Sequence, residues 1–504
     1  MPDEAMLPPL LARAGEFAGR VAVIDSAGPH GYRELLQASD RIAAALLDGR
    51  DDLREQRIAY LIAPGFSWVA VQWGIWRAGG VAVPLPLGAP APELQYFAED
   101  AQVTALVGDA DNGPALGPVA AATGLPAVRC DTLLRHGEAQ LPAIAAARRA
   151  MILYTSGTTS RPKGVVSTHA NIAAQIQSLI EAWEWSQDDS ILLCLPLHHV
   201  HGIINVLSCA LWSGASCRML PRFDAQTVWE QIAEGSLTLF MAVPTVYARL
   251  IAAWEAAPPD ARAAWSRGAG RLRLMVSGSA ALPVSTLERW KEITGHTLLE
   301  RYGMTEIGMA LSNPYSGERI PGSVGRPLPG VEVRLVDDAG DEVHEGTPGQ
   351  IEVHGANVFC EYWNRPEATR EVFRGRWFRT GDTAVVENGV YRILGRTNVD
   401  ILKTGGHKVS ALEIEEVLCQ HSSVAECAVV GIPDHEWGQR VAVALVLKPD
   451  HALDLEGLRL WARERLSNYK VPSRLLVVES LPRNAMGKVT KPAVAELFPK
   501  PGPA

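Results

Sequence analysis

Apolar residues recur along this chain at two spacings, and the spacing changes once. Between Tyr32 and Leu47 they fall at every third or fourth position, which predicts an amphipathic helix. Trp68 to Arg77 reads the same way and stops at Gly79-Gly80. Short apolar runs lie between and beyond such segments, at 58–62, 81–83, 103–107, 191–195, 237–243 and 272–276. Runs this short, with helices between them, predict buried strands of an α/β architecture with largely parallel sheets. From about residue 330 the texture changes. Val331–Val336, Gln350–His354 and Val390–Leu394 alternate and are punctuated by Gly and Pro, which predicts a small β-barrel-like module. Beyond Gly395, strands are expected at 425–430 and 441–447 and helices at 411–419 and 455–466. The expected fold is α/β: a large N-terminal domain of αβ-layered subdomains with the barrel-like module, residues 1–395, and a small α+β C-terminal domain, residues 396–504.

Composition narrows this picture. The chain of 504 residues is long enough for roughly three folding units. Its net charge is −9 and no basic run occurs, which argues against a nucleic-acid partner. The seven cysteines are odd in number, scattered and never CxxC, the pattern of reduced thiols in a cytoplasmic protein. The opening stretch MPDEAMLPPLLARAGEF carries acids early and resembles no targeting peptide. The most apolar neighbourhood, Trp68 to Leu87, is broken by Arg77, Gly79, Gly80 and prolines, so no membrane span is expected.

The densest chemistry is YTSGTTSRPKG, residues 154–164. Glycines and small hydroxyl residues let backbone N–H groups converge on one point, and Lys163 adds a cation, which is how a chain cradles phosphates. A turn-rich surface loop is the plainer alternative. A Walker A loop is excluded because Gly164, not Ser or Thr, follows the lysine. Further on come VSGSAALP at 276–283, ERYGMTE at 300–306, TGD at 380–382, GRTNVD at 395–400 and PRNAMGK at 482–488. This ordered set resembles the adenylate-forming superfamily of acyl-CoA synthetases, peptide-synthetase adenylation domains and luciferases. One departure is Ser160, where relatives carry Gly; in a positive-φ position it costs about 1 kcal/mol.

The resemblance implies a carboxylate attacking the α-phosphate of ATP, then transfer of the acyl group to coenzyme A. It places Thr155, Ser156, Gly157, Thr158, Thr159 and Lys163 on the β- and γ-phosphates, and Gly278, Ser279, Ala280, Glu300, Arg301, Tyr302, Gly303 and Met304 around the nucleotide, Tyr302 against adenine. It places Thr305 on the α-phosphate, Glu306 on Mg²⁺, Asp382 on the ribose hydroxyls with Arg396 nearby, and Lys488 as the cation bridging acid and phosphates. The C-terminal domain is expected to be mobile and to take two orientations. One presents Lys488; the other presents ILKTGGHKVSALEIE, where Lys403, Gly405 and Gly406 would line the way in for coenzyme A and Asp400 is the hinge. GRTNVDILKTGG has one residue more between Arg396 and the glycine pair than many relatives, which leaves the pivot open.

Two segments bear on the acid. PLHHVHGIINVLSCALW, 196–212, has three histidines in four positions; a metal site is the weaker reading, because no Cys or carboxylate stands close by. VPTVYARL, 243–250, reads as a helix start carrying Arg249, whose guanidinium suits a second carboxylate or, alternatively, a solvated helix surface. Together with the other motifs these segments resemble malonyl-CoA synthetases that also accept methylmalonate. The resemblance implies that Arg249, with His199 and Ser277, holds the distal carboxylate of a small dicarboxylic acid, that Val200 lines the pocket and that Met309 limits its depth. Two rivals stand beside it: another chemistry on the same scaffold, whether with another short acid, by loading a carrier protein or as a luciferase-like oxygenase, and a non-catalytic binder of adenylates or acyl-CoA.

Overall fold

The computed structural model describes residues 7–137, 139–155, 161–405, 407–434, 437–483 and 489–499. Ser156, Gly157, Thr158, Thr159, Ser160, Gly406 and Lys488 lie outside the described residues. By compactness the chain divides into two units: residues 1–333 with 353–378, and residues 334–352 with 379–504.

The larger unit holds two sheets. In the seven-stranded one, Val81–Pro84, Arg57–Leu61, Val103–Gly108 and Ala127–Arg129 run parallel, and on the other side the hairpin Arg149–Thr155 with Lys163–Thr168 is followed by the edge strand Glu361–Tyr362. The helix Tyr32–Leu47 ends and starts where the apolar spacing puts it, and Phe66–Arg77 stops at Ala78, just before Gly79 in a left-handed turn. In the nine-stranded sheet Ser190–Leu193, Leu239–Ala242, Leu274–Ser277 and Leu299–Met304 run parallel, and Gly308–Ser312 folds back antiparallel on the last of them. Parallel strands are covered on both faces, and Leu239–Ala242 and Leu274–Ser277 are buried at every position. A core of Trp229, Trp290, Tyr247, Phe240 and Leu250 lies beneath them, with Trp229 stacked on Trp290 at 5.4 Å.

The smaller unit is built around a five-stranded sheet in which Val424–Asp434 pairs antiparallel with Gly438–Leu447 over ten residue pairs. The helices Ala411–Leu418 and Leu455–Arg463 pack on it through Ile414, Leu418, Leu458 and Ala462. The alternating segment Val390–Arg396 pairs antiparallel with Trp377–Glu387, which sets Asp382 directly opposite Arg396. Among the described residues no helix is long and apolar enough to cross a membrane.

Candidate functional site

In the larger unit the sequence motifs converge on the ends of neighbouring parallel strands. Leu274–Ser277 delivers Gly278 and Ser279, and Leu299–Met304 delivers Glu300 to Met304. Register puts Ser277 beside Glu300. A Cβ at Gly278 would stand 2.6 Å from the Cζ of Arg301, so glycine there lets the guanidinium lie against bare backbone. Ser279 follows with φ +70°, a left-handed conformation that costs a non-glycine residue about 1–2 kcal/mol. The strain aims its hydroxyl: Oγ stands 3.2 Å from Nδ1 of His201 and accepts from Arg301 at 3.4 Å.

Arg301 is buried, and among the described residues no carboxylate pairs with it. Burial pulls it down from the usual arginine range to about 9, so at neutral pH it is still a cation. His201, equally buried, is held well below the ordinary histidine range, first by burial and then by Arg301. It is therefore neutral. Its Nε2, the Nε of Arg301, the Oγ of Ser277 and both amide atoms of Asn205 are buried and lack a hydrogen-bond partner among the described residues. Each such atom costs about 1–3 kcal/mol, and native interiors seldom concentrate them. His201 and Asn205 share the π-helical segment His201–Ser208, a geometry enriched at functional sites. Its entry is tight: a Cβ at Gly202 would meet the carbonyl oxygen of Pro196 at 2.6 Å.

The remaining acid-pocket candidates are placed differently. His199 and Val200 are half-buried, and the His199 ring lies 4.1 Å from His198. Arg249 is exposed on the helix Pro244–Ala256, its guanidinium 6.0 Å over the Phe223 ring. Tyr247 on that helix points inward instead, donating to the carbonyl of Val276 at 2.8 Å. Met309 is buried against Gly303, where a Cβ would stand 2.5 Å from the methionine Cε.

Around the nucleotide candidates, Glu300 has a buried carboxylate that accepts the Leu282 N–H at 3.2 Å, tying the AALP loop to the strand. Ala280 is exposed; Tyr302, Met304 and Thr305 are half-buried, with Thr305 in the turn closed by Ile307 N to Met304 O. Glu306 is buried and accepts from the hydroxyl of Tyr362 at 2.8 Å. Tyr362 also faces Lys163, whose Nζ is 5.1 Å from its ring centre. Thr155 is half-buried at the end of its strand. Tyr362 belongs to no motif; only the fold brings it across 56 residues to Glu306.

The smaller unit carries the rest. Asp382 is buried and pairs with Arg396 at 3.0 Å, while Arg396 also donates to the carbonyl of Thr380. Asp400 accepts the Arg396 N–H and pairs with Lys491 at 2.6 Å. Lys491 stands 2.9 Å from Glu415 as well. Burial alone would lower Lys491, but the two carboxylates outweigh it and hold the amine above the ordinary lysine range. Lys403 is exposed, its N–H given to Gln439. Gly405 has φ +54° and donates to the carbonyl of Trp437; a Cβ there would stand 2.9 Å from the indole. That indole had no signal in the sequence beyond its type.

Mg²⁺ can be tested against these side chains. Among the described residues no group of three or more His, Cys, Asp or Glu could hold a metal by itself. A single buried carboxylate such as Glu306 fits a cation that takes most of its ligands from phosphates and water.

A family model described as AMP-binding enzyme matches residues 10–363, and one described as AMP-binding enzyme C-terminal domain matches 413–488. The chain is 46% identical to a mitochondrial malonate–CoA ligase of Bos taurus, covering 97% of this chain and 90% of that one. It is 39% identical to a malonate–CoA ligase of Arabidopsis thaliana, covering 95% and 86%. The solved structure of MatB from Rhodopseudomonas palustris with ATP bound superposes with a TM-score of 0.88 at 34% identity, covering 98% and 99%.

Proposed function

Since this chain belongs to the AMP-binding enzyme family, we propose that it joins malonate to coenzyme A through malonyl-adenylate. In the first step a malonate oxygen attacks the α-phosphorus of ATP and the bond to pyrophosphate breaks. In the second the thiol of coenzyme A attacks the acyl carbon and AMP leaves. The observation that carries the choice of acid is Arg301: a buried cation beside Ser279 and neutral His201, without a carboxylate of its own among the described residues. A second carboxylate on the substrate supplies the missing charge, through hydrogen bonds to a charged group worth about 1.5–3 kcal/mol. Arg301 is thus moved, in this reading, from the nucleotide to the acid. Arg249 and His199 are proposed at the rim, and Ser277, with its unmet hydroxyl, beside the acid. Met309 against Gly303 limits depth. Methylmalonate adds one methyl group and is proposed as a second substrate.

For the nucleotide, Thr155 and Lys163 with the loop between them would hold the terminal phosphates, Tyr302 the adenine and Thr305 the α-phosphate. Asp382, fixed by Arg396, would accept from the ribose hydroxyls. Glu306 would hold Mg²⁺, oriented by Tyr362. When bound, the ion neutralises phosphate charge; the chain's own work is positioning and charge complementarity. Lys488 would add its ammonium in the first step only. Asp400 is proposed as the pivot between steps, with residues 396–504 as the moving part, and Gly405 under Trp437 as the slim wall along which a pantetheine arm passes. A reducing compartment suits the seven free cysteines. Whether this is the cytoplasm, or mitochondria as in the name of the bovine relative, is answered by fractionation.

The deciding experiment is pyrophosphate release with ATP and Mg²⁺ across acetate, octanoate, benzoate, malonate, methylmalonate and succinate, each with and without coenzyme A. Turnover confined to malonate and methylmalonate, continuing past one equivalent only with coenzyme A, is expected. Turnover on octanoate or benzoate would remove the dicarboxylate assignment, and indifference to coenzyme A would point to a carrier protein as acceptor.

A further inference from the structure

Two of the seven free cysteines meet. Cys419 ends the helix Ala411–Leu418, and Cys427 lies opposite Leu445 on the strand Val424–Asp434. Their sulfur atoms are 3.4 Å apart. A disulfide needs about 2.05 Å, so a side-chain rotation closing little more than an ångström would join them. Cys419 is exposed; Cys427 is half-buried, its thiol 3.5 Å from the carbonyl of Glu415. The Cys427 thiol hydrogen-bonded to Cys419 holds the Cys419 thiol below the usual cysteine range, while the same bond and burial push Cys427 up. One accessible sulfur that ionises first, beside a second held in reserve, is the arrangement of an attacking and a resolving cysteine. The other cysteines lack such a neighbour: Cys130, Cys194, Cys209 and Cys217 are buried, and Cys360 is exposed with no sulfur contact among the described residues.

We propose that Cys419 and Cys427 are a redox-active dithiol that a peroxide converts reversibly into a disulfide. The Cys419 thiolate attacks hydrogen peroxide; the O–O bond breaks, leaving a sulfenic acid and hydroxide. The Cys427 sulfur then attacks that sulfenic sulfur, the S–O bond breaks and water leaves. Overall two thiols and one peroxide give one disulfide and two waters. A thiol reductant reverses the change.

The position of the pair gives the modification a consequence. The helix that Cys419 ends is held at its start by Ala411 N–H donating to the Asp400 carbonyl at 2.7 Å, and in its middle by Glu415 against Lys491. The crosslink fastens its far end to the strand. Resting on the reading of Asp400 as pivot, the oxidised protein should exchange less readily between the two steps.

The test uses the full chain treated with one equivalent of hydrogen peroxide, followed by thiol counting and peptide mapping. Loss of two thiols, a Cys419–Cys427 crosslink and recovery with dithiothreitol are expected. Cys427→Ser should stop at a sulfenic acid that dimedone traps, and Cys419→Ser should consume peroxide roughly tenfold more slowly. A crosslink through Cys360 or between chains, or a wild-type sulfenic acid that never resolves, overturns the proposal. With the crosslink confirmed, thioester formation should fall roughly three- to tenfold while ATP–pyrophosphate exchange is kept. Equal loss of both, or of neither, removes the link to the pivot and leaves the dithiol standing.

Discussion

Two arginines at the ends of neighbouring strands in the larger unit are met in opposite ways. Arg273, before the strand Leu274–Ser277, gives two hydrogen bonds of 2.7 Å to the buried Asp189, a third to the carbonyl of Trp183, and lies over Tyr315. Arg301 is more deeply buried and has the Ser279 hydroxyl at 3.4 Å. Desolvating a cation costs several kcal/mol, and a facing carboxylate offsets it. At Arg273 the protein supplies that carboxylate. At Arg301 none of the described residues does, so among them the cost stands without an offset. A matched buried charge therefore belongs to the fold, and an unmatched one is the better pointer to a ligand.

The sharpest way to break this contrast is to remove each cation. Arg301→Met should raise the KM for malonate roughly ten- to a hundredfold with little change in that for ATP. Its thermal stability should be unchanged or higher, because a well-packed apolar side chain replaces an unpaired buried charge. Arg273→Met should do the reverse: a loss of about 3–5 kcal/mol in chemical unfolding, with both KM values near wild type. If both variants lose stability and neither loses malonate, the contrast is wrong.

The pH dependence sharpens it. Burial would raise the Asp189 carboxyl, but Arg273, Thr238 and the Ser186 amide outweigh it and hold the group below the usual carboxylate range. Its stabilisation is then present above the unfolded value of about 3.9 and lost as pH falls through the lower folded value. The stability gap between wild type and Asp189→Asn should hold at pH 7 and shrink below about pH 4, read by urea unfolding.

A smaller effect is expected at the rim. Arg249→Ala should raise the KM for malonate several-fold, about 1 kcal/mol for an exposed pair. If it exceeds Arg301→Met, the inner and outer roles exchange. The smallest is Tyr362→Phe, which removes one hydrogen bond from Glu306 and should lower kcat a few-fold while raising the Mg²⁺ requirement. No change in that requirement would detach Glu306 from the ion.

Much of the architecture was legible because local spacing determines it. Tyr32–Leu47, Val81–Pro84 and Val331–Val336 stand where the pattern of apolar positions puts them. The motifs also named most residues that the strand ends gather, Ser277 to Ala280 and Glu300 to Glu306. Partners from distant segments were not legible. The sequence shows that Arg301 is charged but not that no described carboxylate faces it, and it put Arg249 forward without showing that this residue is exposed. The π-helical segment His201–Ser208 breaks the usual helical period, so its inward side could not be read. Tyr362 and Trp437 meet Glu306 and Gly405 through contacts that only folding makes. The phosphate loop between Thr155 and Arg161 was clear as a motif and lies outside the described residues.

The contact between Arg301 and Gly278 bears on how long an acid this protein can take. Pockets are usually deepened by trimming a side chain at the bottom. Here the group behind the guanidinium is main chain, with no Cβ left to remove. On the proposed reading the wall behind the acid's distal carboxylate is therefore part of the sheet, and a longer acid would need either a moved strand end there or more room at Met309.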